Sequence, residues 1–299
     1  MSLQVEVSDL RLTYGETVAL DGVGFTLTGG KIYGLLGRNG SGKTSLLSVL
    51  GAFRRPGAGS VRIGGRPVFE NAAVTRQTCL IREAGEASAI GTVNDALYFA
   101  EALRSTWDAA YAERLLDAFQ IPRRKNVAAL SLGKRSALGV VLGLASRAPV
   151  TMFDESYLGM DAPSRYAFYE ELLADFMAHP RTVIMSTHLI EEVSSLFEEI
   201  LIIDRGRLVL HEQSEALRGR GVSVTGPEEE VGRFVAGLTV LGDKRLGRTR
   251  SAMVYGELGE ERRGKALAAG LELGPIAIQD LFVHLTARKT PDAGPGERS

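Results

Sequence analysis

The chain has 299 residues, 44% of them hydrophobic and 24% charged, enough apolar material for a buried core and too much for a disordered chain. Its 35 basic and 36 acidic residues leave a net charge of -1, so the total charge does not invite bulk nucleic acid. One cysteine, Cys79, excludes an internal disulfide and a cysteine-built zinc site, and points to a soluble protein of a reducing compartment.

In chain order, Leu3, Val5 and Val7 alternate with polar residues and predict an opening strand, with no basic-then-apolar leader before it. Asp21-Gly22 predicts a turn. A short apolar run at 32–36 ends in glycine, asparagine and serine, and from Lys43 to about Ala52 Leu46, Leu47 and Leu50 share a helical face. A second compact apolar run covers 78–81. Residues 92–119 carry helical spacing, with Thr92 as N-cap and Leu97, Ala100 and Leu103 behind it. Ser131 caps a helix running to Ser146, and 150–153 predicts a buried strand. Over 161–178, Tyr169, Leu172, Leu173 and Phe176 mark the inner face of a helix. Further strands are expected at 182–186 and 200–203. No apolar run approaches the roughly 20 residues that span a bilayer.

Strands alternating with helices predict an α/β core with a mainly parallel sheet. Beyond Ser214 the composition turns to Gly, Arg and Glu, with helical stretches near 228–237 and 260–269. We therefore expect a large domain over 1–212, a small accessory α+β domain over 213–286 that is regulatory or supports dimerisation, and a disordered tail at 287–299.

Gly37-Arg38-Asn39-Gly40-Ser41-Gly42-Lys43-Thr44 fits the pattern G-x-x-x-x-G-K-[ST], between an apolar run and a helix. Glycines let the backbone wrap phosphate oxygens, and the helix start presents N–H groups and a positive dipole end to the anion. Lys43 neutralises the β- and γ-phosphates and the Thr44 hydroxyl can ligate Mg2+. The apolar run 150–153 ends in Asp154-Glu155. Ligands of open α/β sheets gather beyond strand C-termini, which makes Asp154 a magnesium ligand and Glu155 the group that polarises an attacking water. His188 ends another strand, 34 residues past Asp154, and faces the same edge.

Tyr14, the phosphate loop, Leu130-Ser131-Leu132-Gly133-Lys134, the Asp154-Glu155 strand, Gly159-Met160-Asp161 and His188 follow one another in an order that resembles the ATP-binding cassette family, the nucleotide-binding subunits of ABC transporters, over about residues 3–212. The resemblance implies a P-loop ATPase core with an antiparallel β region and an inserted helical subdomain at about 85–145, hydrolysing ATP with Mg2+. It implies that Tyr14 stacks on adenine, and that Ser131 and Gly133 belong to a signature motif contacting the γ-phosphate held by the opposite subunit. Asp161 would lie in a loop across the dimer seam, and His188 would contact the γ-phosphate or the water. The chain departs from the family at Leu132, usually glycine, at Lys134, usually glutamine or methionine, and at Ser156-Tyr157, usually Pro-Thr.

The family also places a magnesium-ligating glutamine at a strand end after the phosphate loop. Gln77 precedes the run 78–81 and Glu83 follows it, so Glu83 joins Thr44 and Asp154 as an expected metal ligand. The implied partners are ATP, membrane-spanning transporter subunits encoded as separate chains, and a second ABC subunit, in a homodimer or heterodimer. The implied location is the cytoplasmic face of the cell membrane, and the direction is export; no nucleic acid is expected. The alternative is a non-transport ABC ATPase, a soluble regulatory or mechanical one. Relatives in translation carry two cassettes per chain, and those acting on DNA a long coiled coil; neither pattern is present. A P-loop kinase or GTPase leaves the signature and His188 without a purpose.

Overall fold

The computed structural model describes residues 2–82, 91–219, 221–256 and 258–286, and the chain divides into two units, Met1–Ser214 and Glu215–Ser299. The first opens with a hairpin of β1 (Val5–Tyr14) and β2 (Thr17–Leu27), turned at Gly15 with a φ of 58°. After β3 (Ile32–Leu36), which belongs elsewhere, β4 (Ala58–Ile63) and β5 (Arg66–Pro67) complete an antiparallel sheet of order β2-β1-β4-β5. Asp21-Gly22 is not a turn. It lies inside β2, where the pairing steps from Leu10 opposite Val23 to Leu12 opposite Leu20, a bulge with Gly22 at φ 70°. Its partners come from far along the chain: the Asp21 N–H donates to the Gly206 carbonyl at 2.8 Å and its carboxylate accepts from Arg207 at 2.6 Å.

β3 joins β6 (Thr78–Ile81), β7 (Val150–Asp154), β8 (Thr182–Thr187), β9 (Glu199–Asp204) and β10 (Arg207–Gln213) in a six-stranded sheet of order β10-β9-β3-β8-β7-β6. All neighbours run parallel except β9 and β10. β3, β7 and β8 are buried at every residue, as central parallel strands covered on both faces must be. Leu36 pairs with Thr187 and Asp154 with Ser186. The chain therefore leaves three adjacent strands at one edge, which brings positions 37, 155 and 188 together.

The helices of this unit are α1 (Lys43–Leu50), α2 (Ala72–Thr75), α3 (Val93–Leu103), α4 (Ala109–Ala118), α5 (Leu132–Ser146), α6 (Ala162–Ala178) and α7 (Ile190–Val193). Leu46, Leu47 and Leu50 of α1 enter the core with Tyr33, Leu35 and Met152. The helical stretch 92–119 is two helices. Thr92 and Asp95 form a capping box at the start of α3, whose buried residues are Val93 and Ala96 rather than Leu103, which is exposed. Arg104 then turns extended to donate to the Thr78 carbonyl at 2.8 Å, and Asp108 starts α4 by accepting the Tyr111 N–H at 2.8 Å. On α6 the buried stripe is Phe168, Tyr169, Leu172 and Asp175, with Leu173 exposed. An aspartate takes an inward position because Arg181 and Arg147 meet its carboxylate at 2.7 and 3.3 Å.

α8 (Ser214–Gly219) spans the division in the chain. The second unit runs β11 (Gly221–Pro227), α9 (Glu228–Phe234), β12 (Val240–Leu246), β13 (Thr249–Tyr255), α10 (Glu260–Ala268), β14 (Glu272–Pro275) and α11 (Ile278–Leu285). Its strands form an antiparallel sheet of order β12-β13-β11-β14, the split β-α-β arrangement. Val222, Val224, Ala252 and Val254 of the sheet pack with Val231 of α9 and Ala266 of α10 in a core of their own. The tail expected at 287–299 lies outside the described residues, as does Glu83. Among the described residues no helix is long and apolar enough to cross a membrane.

Candidate active site

The two ends of the loop, Gly37 and Gly42, tolerate no side chain. A Cβ on Gly37 would lie 2.6 Å from the Ile203 carbonyl, and one on Gly42, at φ 110°, would lie 2.7 Å from the Ala19 carbonyl. No side chain caps α1 at its start, so the first-turn N–H groups of Lys43 and Thr44 stay with the loop. Ser41 Oγ is buried with no hydrogen-bond partner among the described residues, a polar atom that an anion in the loop would satisfy. Lys43, also buried, donates from Nζ to the Gly37 carbonyl at 2.8 Å, with the Arg38 carbonyl at 3.4 Å.

This loop forms one wall of a cleft of 980 Å³. Tyr14, Asn39 to Thr44, Asp154 and Glu155 all line it, together with Thr17, Val18, Arg54 and Arg82. Tyr14 is 42% exposed, enough for a flat group to stack on it, and the Arg54 guanidinium lies over its ring 5.6 Å from the centre. Asp154 is buried and its Oδ1 accepts the Ser186 hydroxyl at 2.6 Å. Glu155 takes a left-handed φ of 46°, which costs a non-glycine residue about 1–3 kcal/mol and is sustained by its partners. Its N–H donates to Ser186 Oγ at 3.0 Å, its Oε1 lies 3.2 Å from Lys43 Nζ, and its Oε2 lies 3.3 Å from His188 Nδ1. The carboxylate at the β7 end thus touches the phosphate-loop lysine on one side and the β8 histidine on the other.

The remaining predicted residues stand apart. Ser131, Gly133 and Asp161 line a separate groove of 360 Å³ with Phe119 and Met160. Ser131 caps α5 by accepting the Lys134 N–H at 3.4 Å, and Asp161 caps α6 by accepting the Ser164 N–H at 3.0 Å. Those hydrogen bonds from Ser164 hold the Asp161 carboxyl below its usual range. Gly133 is required locally, because a Cβ there would lie 2.5 Å from the Gly159 carbonyl. Leu132, half-exposed, lines both the groove and the cleft. Lys134 is half-buried, and its Nζ donates to the Phe119 carbonyl at 2.5 Å.

Two contributors escape a reading of motifs, Ser186 and Arg54, and Tyr157 shows there only as a departure from the family pattern. Ser186 had one sequence signal, a hydroxyl residue in an otherwise apolar strand. Tyr157 is fully buried, and burial pushes its hydroxyl up to about 12 against the hydrogen bond with Thr187. Gln77, the rejected alternative to Glu83, turns its amide back to the Ala73 carbonyl at 2.9 Å. A magnesium ion is tested by the donor set: the Thr44 hydroxyl and Asp154 carboxylate are hard oxygen donors on one cleft wall, and they fit.

The ABC transporter family profile matches residues 20–157. The chain is 30% identical to the doxorubicin resistance ATP-binding protein DrrA of Mycobacterium tuberculosis, over 73% of this chain and 68% of that protein. It is 26% identical to the Nod factor export ATP-binding protein I of Paraburkholderia xenovorans, over 96% of this chain and 98% of the relative. Among solved structures, the ATP-binding subunit of an ABC transporter superposes with a TM-score of 0.65 at 24% identity, over 72% of this chain and 91% of that one, a likeness of fold.

Proposed function

The chain belongs to the ABC transporter family, and from that premise we propose that it is the ATP-hydrolysing subunit of a membrane exporter whose spanning subunits are separate chains. The observation that carries the reading is Glu155, held 3.2 Å from Lys43 Nζ and 3.3 Å from His188 Nδ1 at the mouth of the phosphate loop. That is where a base is needed to take a proton from water as it attacks a γ-phosphate.

The loop N–H groups and Lys43 hold the β- and γ-phosphates, and Tyr14 offers its ring to the adenine. Water adds to the γ-phosphorus, the bond to the ADP oxygen breaks, and Glu155 takes the proton that water loses. His188, against the same carboxylate, keeps it aimed and is within reach of the γ-phosphate. Thr44 and Asp154 are the residues that would hold magnesium, which neutralises phosphate charge when bound.

Ser131, Gly133 and Asp161 line a groove apart from the Lys43 cleft, which supports a site completed by the signature of a second subunit. ATP then bridges two subunits and hydrolysis releases them, a differential binding of two states. Closure would pass to the membrane partner through α3 to α5, where Tyr98, Phe99 and Leu103 present exposed apolar surface. The export function named for the Paraburkholderia relative supports this direction, and in such a system the subunit would work at the cytoplasmic face of the membrane. The test is magnesium-dependent ATPase activity of the purified chain and of Lys43→Ala, with co-purification of a membrane-spanning protein. ATPase activity in the wild type alone, with a membrane protein retained, is expected; activity without any membrane partner would favour a non-transport ATPase.

A further inference from the structure

Two residues beyond Glu155, where the family usually has threonine, stands Tyr157. Its side chain is 1% exposed, so its hydroxyl must find partners inside the protein. It finds them at the end of β8. The Tyr157 and Thr187 hydroxyls lie 2.7 Å apart, and the His188 N–H points at Tyr157 Oη at 3.4 Å. Thr187 Oγ1 in turn accepts the Leu189 N–H at 2.9 Å. Two consecutive backbone N–H groups that leave the sheet at His188 are thus met by two buried hydroxyls. The tyrosine ring also lies 6.3 Å from the His188 ring, at 42°.

We propose that Tyr157 is a positioning residue for ATP hydrolysis: it fixes the backbone at His188 so that the imidazole stands against the Glu155 carboxylate. His188 itself is 41% exposed on its side chain, so burial alone does not fix its ring. The constraint comes from its backbone, and the backbone is held by Tyr157 from the same loop that carries Glu155. Base and histidine are therefore set by one short segment, 155–157, and cannot drift apart independently. The neutral hydroxyl suits the task, since burial keeps it protonated at all working pH values. The tyrosine hydroxyl reaches from the segment that follows β7 to the end of β8.

The proposal rests on the ATPase reading, and its test separates the two. Tyr157→Phe keeps the ring and removes the hydroxyl; Thr187→Val removes the facing hydroxyl at constant shape. The His188 ring signal is followed by NMR with labelled histidine and assigned by its loss in His188→Gln. Tyr157→Phe is expected to shift the His188 signal and to lower kcat about tenfold, the cost of a small misplacement, with KM for ATP within about twofold. Thr187→Val is expected to reproduce that loss, and the double variant to add little to either. An unchanged His188 signal with wild-type kcat overturns the proposal, and so does a loss of ATP affinity equal to the loss of kcat. If the wild type hydrolyses no ATP, the ATPase reading fails, while the His188 signal still decides the positioning. If Tyr157→Phe does not fold, Thr187→Val is read by the same criteria.

Discussion

Ser186 Oγ donates to Asp154 Oδ1 at 2.6 Å and accepts the Glu155 N–H at 3.0 Å, so one buried hydroxyl holds both acids of the site. A hydrogen bond to a buried charged group contributes about 1.5–3 kcal/mol. Ser186→Ala leaves Asp154 with an unmet oxygen and frees it to rotate. The expected result is a loss of about 1–3 kcal/mol in stability and a weaker apparent magnesium affinity, read by denaturant unfolding and by ATPase rate against magnesium concentration. A variant with wild-type magnesium dependence would remove Ser186 from the site.

Glu155→Gln keeps the size and backbone conformation of the residue and removes only its capacity to take a proton. ATP binding should persist, because Lys43 and the loop are untouched, and the lysine loses its ion pair at 3.2 Å. Hydrolysis should fall on the order of 10²–10⁴-fold, the usual share of a general base. Size exclusion should show a dimer with ATP and a monomer without it. Wild-type turnover in this variant would sink the assignment of Glu155.

The site was legible where several local signals agree. The phosphate loop has its glycines, its lysine, and a strand and helix around it, so Gly37 to Thr44 could be read letter by letter. Asp154-Glu155 and His188 were readable because apolar runs end on them, and parallel pairing then makes their convergence a matter of topology. What escaped depends on distant partners. Asp21-Gly22 reads as a turn until Gly206 and Arg207 are seen to hold it inside a strand. No Pro or Gly marks the break after Leu103; Arg104 is drawn away by the Thr78 carbonyl. The stripe on α6 was displaced by one residue because Asp175 counts as polar in a sequence, yet in the fold it is neutralised by two arginines.

Glu199 offers a test of pH dependence. Burial pushes its carboxyl up, but hydrogen bonds from Lys31 and His211, at 2.6 and 2.8 Å, and their charge outweigh this and hold it below its ordinary value. A carboxyl lowered in the folded state stabilises the fold above its unfolded pKa, and that contribution is lost as pH falls through the folded one. Glu199→Gln should therefore lose about 1 kcal/mol near neutral pH, since the pair with Lys31 is partly exposed. As pH falls from the ordinary carboxylate range through the lowered folded value, the difference from wild type should shrink and vanish. Thermal unfolding of both proteins from acid to neutral pH measures it; a constant difference across that range would show that the loss is one of packing.

A chain of ion pairs links the start of α4 to α6. Asp175 on α6 meets Arg181 at 2.7 Å and Arg147 at 3.3 Å, and Arg147 continues to Asp108, the cap of α4, at 2.7 Å. Arg181 is 3% exposed, and its Nε also donates to Thr151 Oγ1 at 3.3 Å. Removing one member of a buried pair strands the other without water, a loss of about 3–5 kcal/mol, whereas replacing both with apolar residues is often close to neutral. Asp175→Ala should therefore destabilise the protein more than Asp175→Leu combined with Arg181→Met, although the double variant removes more charge. The variants should unfold at separate denaturant midpoints, with ATP binding intact wherever the fold survives, because the pair lies away from the nucleotide cleft. If the double variant were less stable than Asp175→Ala, the pair would contribute net stability, and its polar character would not be a mere consequence of fold specificity.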